Sequence, residues 1–418
     1  MQTLTRSDRR GFLRVGVGGA MGLMLGQWLQ TAQAGGVKSK TKSVILLWMN
    51  GGPSHLDTFD PKPGRRNGGP VRALKTSAPG LELSEYLPQL AEHGKHLAVI
   101  RSLTSREGNH DRGQFVMHTG FIPAGPVTHP SFGAVVSKEN EEVESDLPQF
   151  VTINGPSVGA GFLGTNHNPV VVRDPRRPVD HIAYAPDVNR NRFNLRMQFL
   201  NVFEDELKQQ TPSEVVKAHE QVKLKALRLM HSPMLKAFDV ANEPTSVRAA
   251  YGNSPFGQGV LMARRLAEVG VKFVEVYLDG WDTHSNNFTA TRNLCSQLDP
   301  AFATLLRELS ERDRLRDTLV VWMGEFGRTP RINPNEGRDH WPQSSCVALA
   351  GAGVKGGTII GSTGPEGEET LEPVSVPDLF ASLCHGIGLR ADRAFYTPDG
   401  RPIRVTDNGK VLRQLFAA

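Results

Sequence analysis

Cysteine is scarce. Cys295, Cys346 and Cys384 are the only three in 418 residues. An odd, sparse set excludes a disulfide framework, and the apolar neighbours of each point to buried free thiols. Excess charge is small too. The formal net charge is +5, but residues 1–34 hold Arg6, Arg9, Arg10 and Arg14 against Asp8, which leaves +2 for the rest. With that balance and no basic stripe interleaved with aromatics, a nucleic-acid partner is not expected. Beyond the N-terminus no run offers the ~20 apolar residues that a bilayer span needs. No internal repeat divides the chain.

The N-terminus carries an export signal. "DRRGFLR" (8–14) holds paired arginines, an uncharged run extends from Val15 to Leu29, and "AQA" (32–34) is a small-residue cleavage site. The twin arginines point to the Tat route. Residues 1–34 are therefore expected to be removed, with the Tat translocase as a partner during export. The apolar run is short and glycine-rich for an uncleaved anchor. Residues 35–418 are expected as one periplasmic or secreted domain with no stable membrane span. Export in the folded state suits a protein loaded with a metal before it crosses.

The mature chain alternates two kinds of segment. Short apolar runs bounded by glycine or polar residues occur at 42–52, 97–104, 149–155, 271–280, 317–327 and 344–353. Fully buried parallel strands have this form. Helical patterns lie between them, at 256–270 with Gly270 as a stop, at 294–315, and at 374–389 with proline near its start. Strands alternating with helices predict an α/β fold, a mostly parallel central sheet with helices on both faces. Residues 186–247 are charged and helical, and are expected as a helical insertion, a solvated hairpin or cap. Proline- and glycine-rich stretches at 61–80, 121–130, 329–343 and 362–374 are expected as surface loops.

In open α/β sheets ligands bind beyond the carboxyl ends of the strands. The residues at the ends of these runs are therefore the candidates for chemistry. After the first come Asn50, His55, Asp57 and Asp60. After the second come Ser102, Thr104, Ser105, Asn109, His110 and Asp111. The fourth ends in "LDGWDTH", with Asp279, Asp282 and His284. The fifth leads into Glu325 and Arg328, and the sixth is preceded by Arg338, Asp339 and His340. Carboxylates with imidazoles suit Zn, Mn, Mg or Ca. Hydroxyls nearby could serve as nucleophiles, and arginines could clamp a tetrahedral oxyanion. Plainer readings stand beside each. Asp57 could cap a turn, Ser102 and Thr104 could be ordinary strand-end hydroxyls, and Asp282 could form an Asx turn or helix cap. Glu325, closing an apolar strand, needs a partner if buried. His385, in an apolar helix pattern, reads as structural, and His118 could be either.

The stretches "LLWMNGGPSHLDTFDPKP", "EGNHDRGQFVMHTG", "DGWDTHSNNF", "GEFGRTPRIN" and "GRDHWPQSSCVALAGAGVKGG" resemble an uncharacterised, sulfatase-like family of Tat-exported bacterial proteins. That family is similar to the alkaline phosphatase and sulfatase superfamily. The resemblance covers nearly the whole mature chain. It implies an alkaline-phosphatase-like fold and one or two divalent metals. It also implies a nucleophile near "RSLTS", hence Thr104 or Ser102. "DGWDTH" resembles a segment supplying an Asp and a His, and "GRDH" the region of the last His ligand. There are departures. Asn50 stands where a ligating Asp is expected, with His55 or Asp57 as substitutes. Glu325-Phe326 replaces Asp-His. No Cys-x-Pro-x-Arg sequence occurs, which excludes a formylglycine nucleophile.

Taken together, these residues read as an exported metal-dependent hydrolase of phosphate or sulfate esters, acting on a small-molecule or polysaccharide substrate. Metal ligands are expected among His55, Asp57, Asp279, Asp282, His284, Glu325, Asp339 and His340. Thr104 or Ser102, or water, would attack, with Arg328 and Arg338 neutralising the oxyanion. The alternatives are a non-catalytic binding protein for an anionic ligand such as a sulfated polysaccharide, and a protein whose metal is structural.

Overall fold

The sequence SVILLWM forms a strand, Ser43–Met49 (β1), with all 7 residues buried. Successive side chains on a strand point to opposite faces, and here both faces meet a core. Ile45, Leu47 and Met49 enter one apolar cluster, while Val44, Leu46 and Trp48 enter the other. Such a strand belongs in the middle of a sheet covered on both sides. That is where it lies in the computed structural model, which describes residues 43–141, 146–179, 183–210 and 213–417. The export signal expected at 1–34 lies outside the described residues.

Leu97–Thr104 (β2), Phe150–Ile153 (β3), Val170–Val172 (β4), Phe273–Leu278 (β5), Thr318–Gly324 (β6), Ser345–Ala350 (β7), Ile359–Ile360 (β8) and Val374–Ser375 (β9) complete the central sheet. Its order is β8-β2-β7-β6-β1-β5-β3-β4, with β9 beside the end of β2. β1 runs parallel to β5 and β6, with Met49 opposite both Leu278 and Gly324. β7 is antiparallel to β2 and β6. The six expected strands are all present. The short strands β4, β8 and β9 are additional, and segments of two or three residues are too short for a periodic signal.

The main helices are His110–Thr119 (α1), Phe132–Glu139 (α2), Arg190–Gln210 (α3), Glu214–His231 (α4), Pro255–Glu268 (α5), Asn287–Glu311 (α6) and Val376–Gly386 (α7). Helix α5 shows how they are built. Ser254 caps its start by accepting from Gly257 N–H at 3.0 Å, Pro255 opens it, and Gly270 with φ of +103° lies just past its end. Helices α5 and α6 pack on one face of the sheet, and α1, α2 and α7 on the other. The charged stretch 186–247 contains α3 and α4, tied together by Lys208–Glu220 at 2.5 Å and by Lys223 donating to Asn201 at 2.9 Å. The architecture is thus a mostly parallel α/β sheet between two helical layers. The described residues fall in one compact unit. The three cysteines are free and buried. Among the described residues no helix is long and apolar enough to cross a membrane.

Candidate metal centre

β1, β5 and β6 end side by side, so the segments that extend from them must share one small space. Two glycines make this possible. Gly51 has φ of +114°, which favours a residue without Cβ, and a Cβ there would lie 2.4 Å from Asp282 N. Its own N–H donates to Glu325 Oε1 at 2.9 Å. Gly337 lies so close to the β5 loop that a Cβ would stand 1.9 Å from the His284 carbonyl oxygen. The 329–343 loop therefore sits directly on residues 284–285, and it pairs His340 with Arg328 in a two-stranded ribbon. From the other side comes α1, with His110 as its first residue and Asn109 as its cap, accepting from Arg112 N–H at 3.3 Å.

Three imidazoles converge as a result. His110 Nδ1 lies 2.7 Å from Glu325 Oε1, His284 Nδ1 2.7 Å from Asp339 Oδ1, and His340 Nδ1 2.7 Å from the Gly108 carbonyl. Carboxylates and carbonyls only accept, so each Nδ1 carries the proton and each neutral ring presents an Nε2 lone pair. All three lone pairs turn to one carboxylate. His110 Nε2 lies 3.3 Å from Asp282 Oδ2, while His284 Nε2 and His340 Nε2 lie 3.1 and 3.3 Å from Asp282 Oδ1. His110 Nε2 is buried and makes no hydrogen bond. His284 and His340 place their Nε2 atoms 3.0 Å apart. Two facing lone pairs repel unless a proton or a cation lies between them. Two nitrogens at 2.0–2.1 Å from a tetrahedral ion would be about 3.3 Å apart, so the spacing fits a cation.

Asp282 is prepared for that role. Arg328 Nη2 donates to its Oδ1 at 2.6 Å. Partial burial opposes ionisation, but the hydrogen bond and charge of the Arg328 guanidinium hold the Asp282 carboxyl down to about 2. Burial, with the Arg328 charge nearby, lowers the pKa of His340 and favours its neutral, ligating form. The hydrogen bond that His110 Nδ1 donates to Glu325 raises the pKa of His110. Ligand atoms of His110, Asp282 and His340 all lie within 4.8 Å of one another. The donor set fits a divalent metal, and its imidazoles are fixed from behind as in established metal sites.

The other expected residues fall elsewhere. Glu325 and Asp339 stand behind His110 and His284 as acceptors, not in the convergent set. Asp279 is exposed at the strand end. Asp57 is buried against Arg338, whose Nε and Nη2 donate to it at 2.7 and 3.2 Å. The remaining donors of Arg338 go to the carbonyls of Thr329, Pro330 and Asn67, so none is left for an oxyanion. Arg328 likewise directs Nε to Gly52 O at 2.9 Å and Nη1 to Arg338 O at 3.1 Å. It positions Asp282. His55 is fully buried, and burial with Arg338 nearby lowers its pKa to about 3, leaving a neutral ring. Ser102 donates to Glu372 O at 2.7 Å and Thr104 to Val374 O at 3.1 Å, both toward the edge strand β9. His118 lies in the core, bonded to Glu275 and, at 2.8 Å, to Gln114 O. His385 is exposed against the Phe416 ring.

His110 is the member that strand-end reasoning named but did not assign as a ligand. A signal was available. A histidine directly after a capping asparagine, at the start of a helix preceded by a strand, faces the sheet's carboxyl edge.

A family model described as "Protein of unknown function (DUF1501)" matches residues 41–416. No curated protein matches the chain. Several solved structures are similar at low identity. The PsFucS1 sulfatase from Pseudoalteromonas sp. is 10% identical, with 93% of this chain and 74% of that chain covered and a TM-score of 0.40. The lipoteichoic acid synthase LtaP from Listeria monocytogenes is 9% identical, covering 89% and 88%, at 0.40. An alkaline phosphatase from the Antarctic bacterium TAB5 is 16% identical, covering 77% and 94%, at 0.33.

Proposed function

The chain belongs to the DUF1501 family of proteins of unknown function, and from that premise we propose an exported, divalent-metal-dependent hydrolase of phosphate or sulfate esters. The observation that carries the reading is the convergence of three Nε2 lone pairs, each ring fixed through Nδ1, on the Asp282 carboxylate. His110, Asp282 and His340 would hold the ion, with His284 as a fourth ligand. An imidazole-rich set favours zinc over manganese, magnesium or calcium. Bound there, the ion would supply Lewis acidity toward an ester oxygen.

The chain's own residues do the rest. Glu325 and Asp339 fix two imidazole rings and keep their protons on Nδ1. Arg328 keeps Asp282 ionised and oriented. Substrate would approach from the side where Asp282 and His284 are half exposed. Ser102 and Thr104 already donate to backbone carbonyls at the far edge, so water is the better attacking group. Export to the periplasm or beyond, through the Tat translocase, rests on the paired arginines at 9–10 and the cleavage-site pattern at 32–34.

One observation favours a second reading, a non-catalytic binding protein for an anionic ligand. The hydroxyls and guanidiniums expected to act on substrate are already engaged. Hydrolysis of p-nitrophenyl phosphate and p-nitrophenyl sulfate separates the two. Under the first reading zinc- or manganese-loaded protein turns over one of them, and the His110→Ala/His340→Ala variant loses at least ~100-fold. Tight metal binding with neither ester hydrolysed would leave the binding reading standing.

A further inference from the structure

Among the described residues, the longest stretch of exposed apolar surface lies far in sequence from the metal centre, on α3. Leu195, Phe199, Val202, Phe203 and Leu207 are each 48–67% exposed. Their spacing of four, three, one and four residues places them on one face of a helix turning 100° per residue. The opposite face, carrying Glu204 and Lys208, rests on α4 through Lys223 and Glu220. Among the described residues, nothing covers the apolar stripe of α3. At roughly 100 Å² per half- to two-thirds-exposed side chain, the stripe offers about 500 Å² of apolar surface, more than isolated exposed residues explain.

The charges along α3 identify the occupant. Its first turns carry Arg190, Arg192 and Arg196, and its last turns Glu204, Asp205 and Glu206 with Lys208, of which Glu204 and Lys208 face α4. Arg192, Arg196 and Glu206 lie on the same face as the stripe, Arg192 beyond its N-terminal end and Arg196 and Glu206 among its apolar residues. A uniformly basic rim would suit an anionic lipid surface. A helix basic at one end and acidic at the other is instead complementary to itself, reversed. We infer that α3 is the two-fold interface of a homodimer, packed antiparallel against α3 of a second copy. With the axis at Phe199, residues equally far on either side face each other. Arg192 then meets Glu206 of the second copy, and Leu195 meets its Phe203. Arg192 can do so, because its side-chain bond to Asp187 O at 3.2 Å uses Nη1. Glu206 accepts from Gln210 at 3.0 Å and keeps its other oxygen. The contact is isologous, as closed dimers require. Doubling the stripe and adding the charges on its face brings the total to about 1,200 Å², the lower end of specific interfaces.

The test is the mass of the intact protein by light scattering across a concentration series, with a charge swap. Wild type is expected at twice the chain mass at micromolar concentration. Phe199→Glu and Arg192→Glu are expected to be monomeric, with helicity by circular dichroism and metal content unchanged. The Arg192→Glu/Glu206→Arg double variant should dimerise again, because the swap restores both contacts. Monomeric wild type, or a wild-type dimer that survives Phe199→Glu, would overturn the proposal. A swap that fails to restore the dimer would overturn the antiparallel register. Sedimentation of monomeric wild type with phosphatidylglycerol vesicles would assign the stripe to a lipid surface instead.

Discussion

Asp57 with Arg338 and Asp282 with Arg328 contain the same two groups and differ in what surrounds the carboxylate. Asp57 and Arg338 are both fully buried. Asp57 takes two bonds from Arg338 and a third from Asn287 Nδ2 at 2.8 Å. Every guanidinium donor of Arg338 has a partner. That pair is closed and acts as frame, joining the β1 loop, α6 and the 329–343 loop. Arg328 is as buried as Arg338, but the Asp282 side chain is 47% exposed. Its oxygens face three imidazole nitrogens that have no proton to give in their neutral tautomers. A carboxylate satisfied by donors is structural. A carboxylate left among lone pairs is a candidate ligand. Donor counting separates the two where residue type cannot.

The largest effect expected from this contrast is on stability. Asp57→Ala leaves a buried guanidinium without its counter-ion and should cost about 3–5 kcal/mol, read from urea unfolding. Asp282→Ala should cost less, because its carboxylate is already half in water, yet it should abolish metal binding. The reverse order in the two measurements would break the comparison. Next is chelation. An ion bound at 100 times its Kd stabilises by about 2.7 kcal/mol, so EDTA should lower the Tm of wild type and leave that of Asp282→Asn unmoved.

Smaller changes sharpen the contrast within the site. Glu325→Gln and Asp339→Asn remove acceptors behind His110 and His284, and should weaken metal affinity by about 10–100-fold without preventing saturation. Isothermal titration with zinc would measure this. The smallest effect belongs to the closed side. The folded pKa of His55 is lowered to about 3 from 6.5, so the unfolded state takes the proton first. Its contribution to stability is intact above pH 6.5 and is lost as pH falls toward 3, by about 1.4 kcal/mol per unit. Urea midpoints at pH 7 and 5.5 should converge in His55→Gln relative to wild type.

Much of the architecture was legible because buried strands leave apolar runs. All six runs became strands, and the rule that ligands gather at carboxyl ends led to Asp282, His284 and His340. What distinguishes Asp57 from Asp282 was not legible. Asp57 is closed by Arg338 and Asn287, more than two hundred residues away in the chain, and only the tertiary fold brings them together. Glu325 was readable as a buried carboxylate needing a partner, but not as the acceptor for His110. The stretch 186–247 read as solvated because charged residues flank its apolar ones. Only the placement of α4 shows which face of α3 is left uncovered.

The most direct test is the metal content of purified wild type beside Asp282→Asn, by elemental analysis after dialysis against zinc and manganese. About one ion per chain in wild type, and none in a variant with unchanged circular dichroism, is the predicted result. Equal metal content in the two proteins, whether stoichiometric or negligible, would contradict the assignment of Asp282 and its three imidazoles as a metal centre.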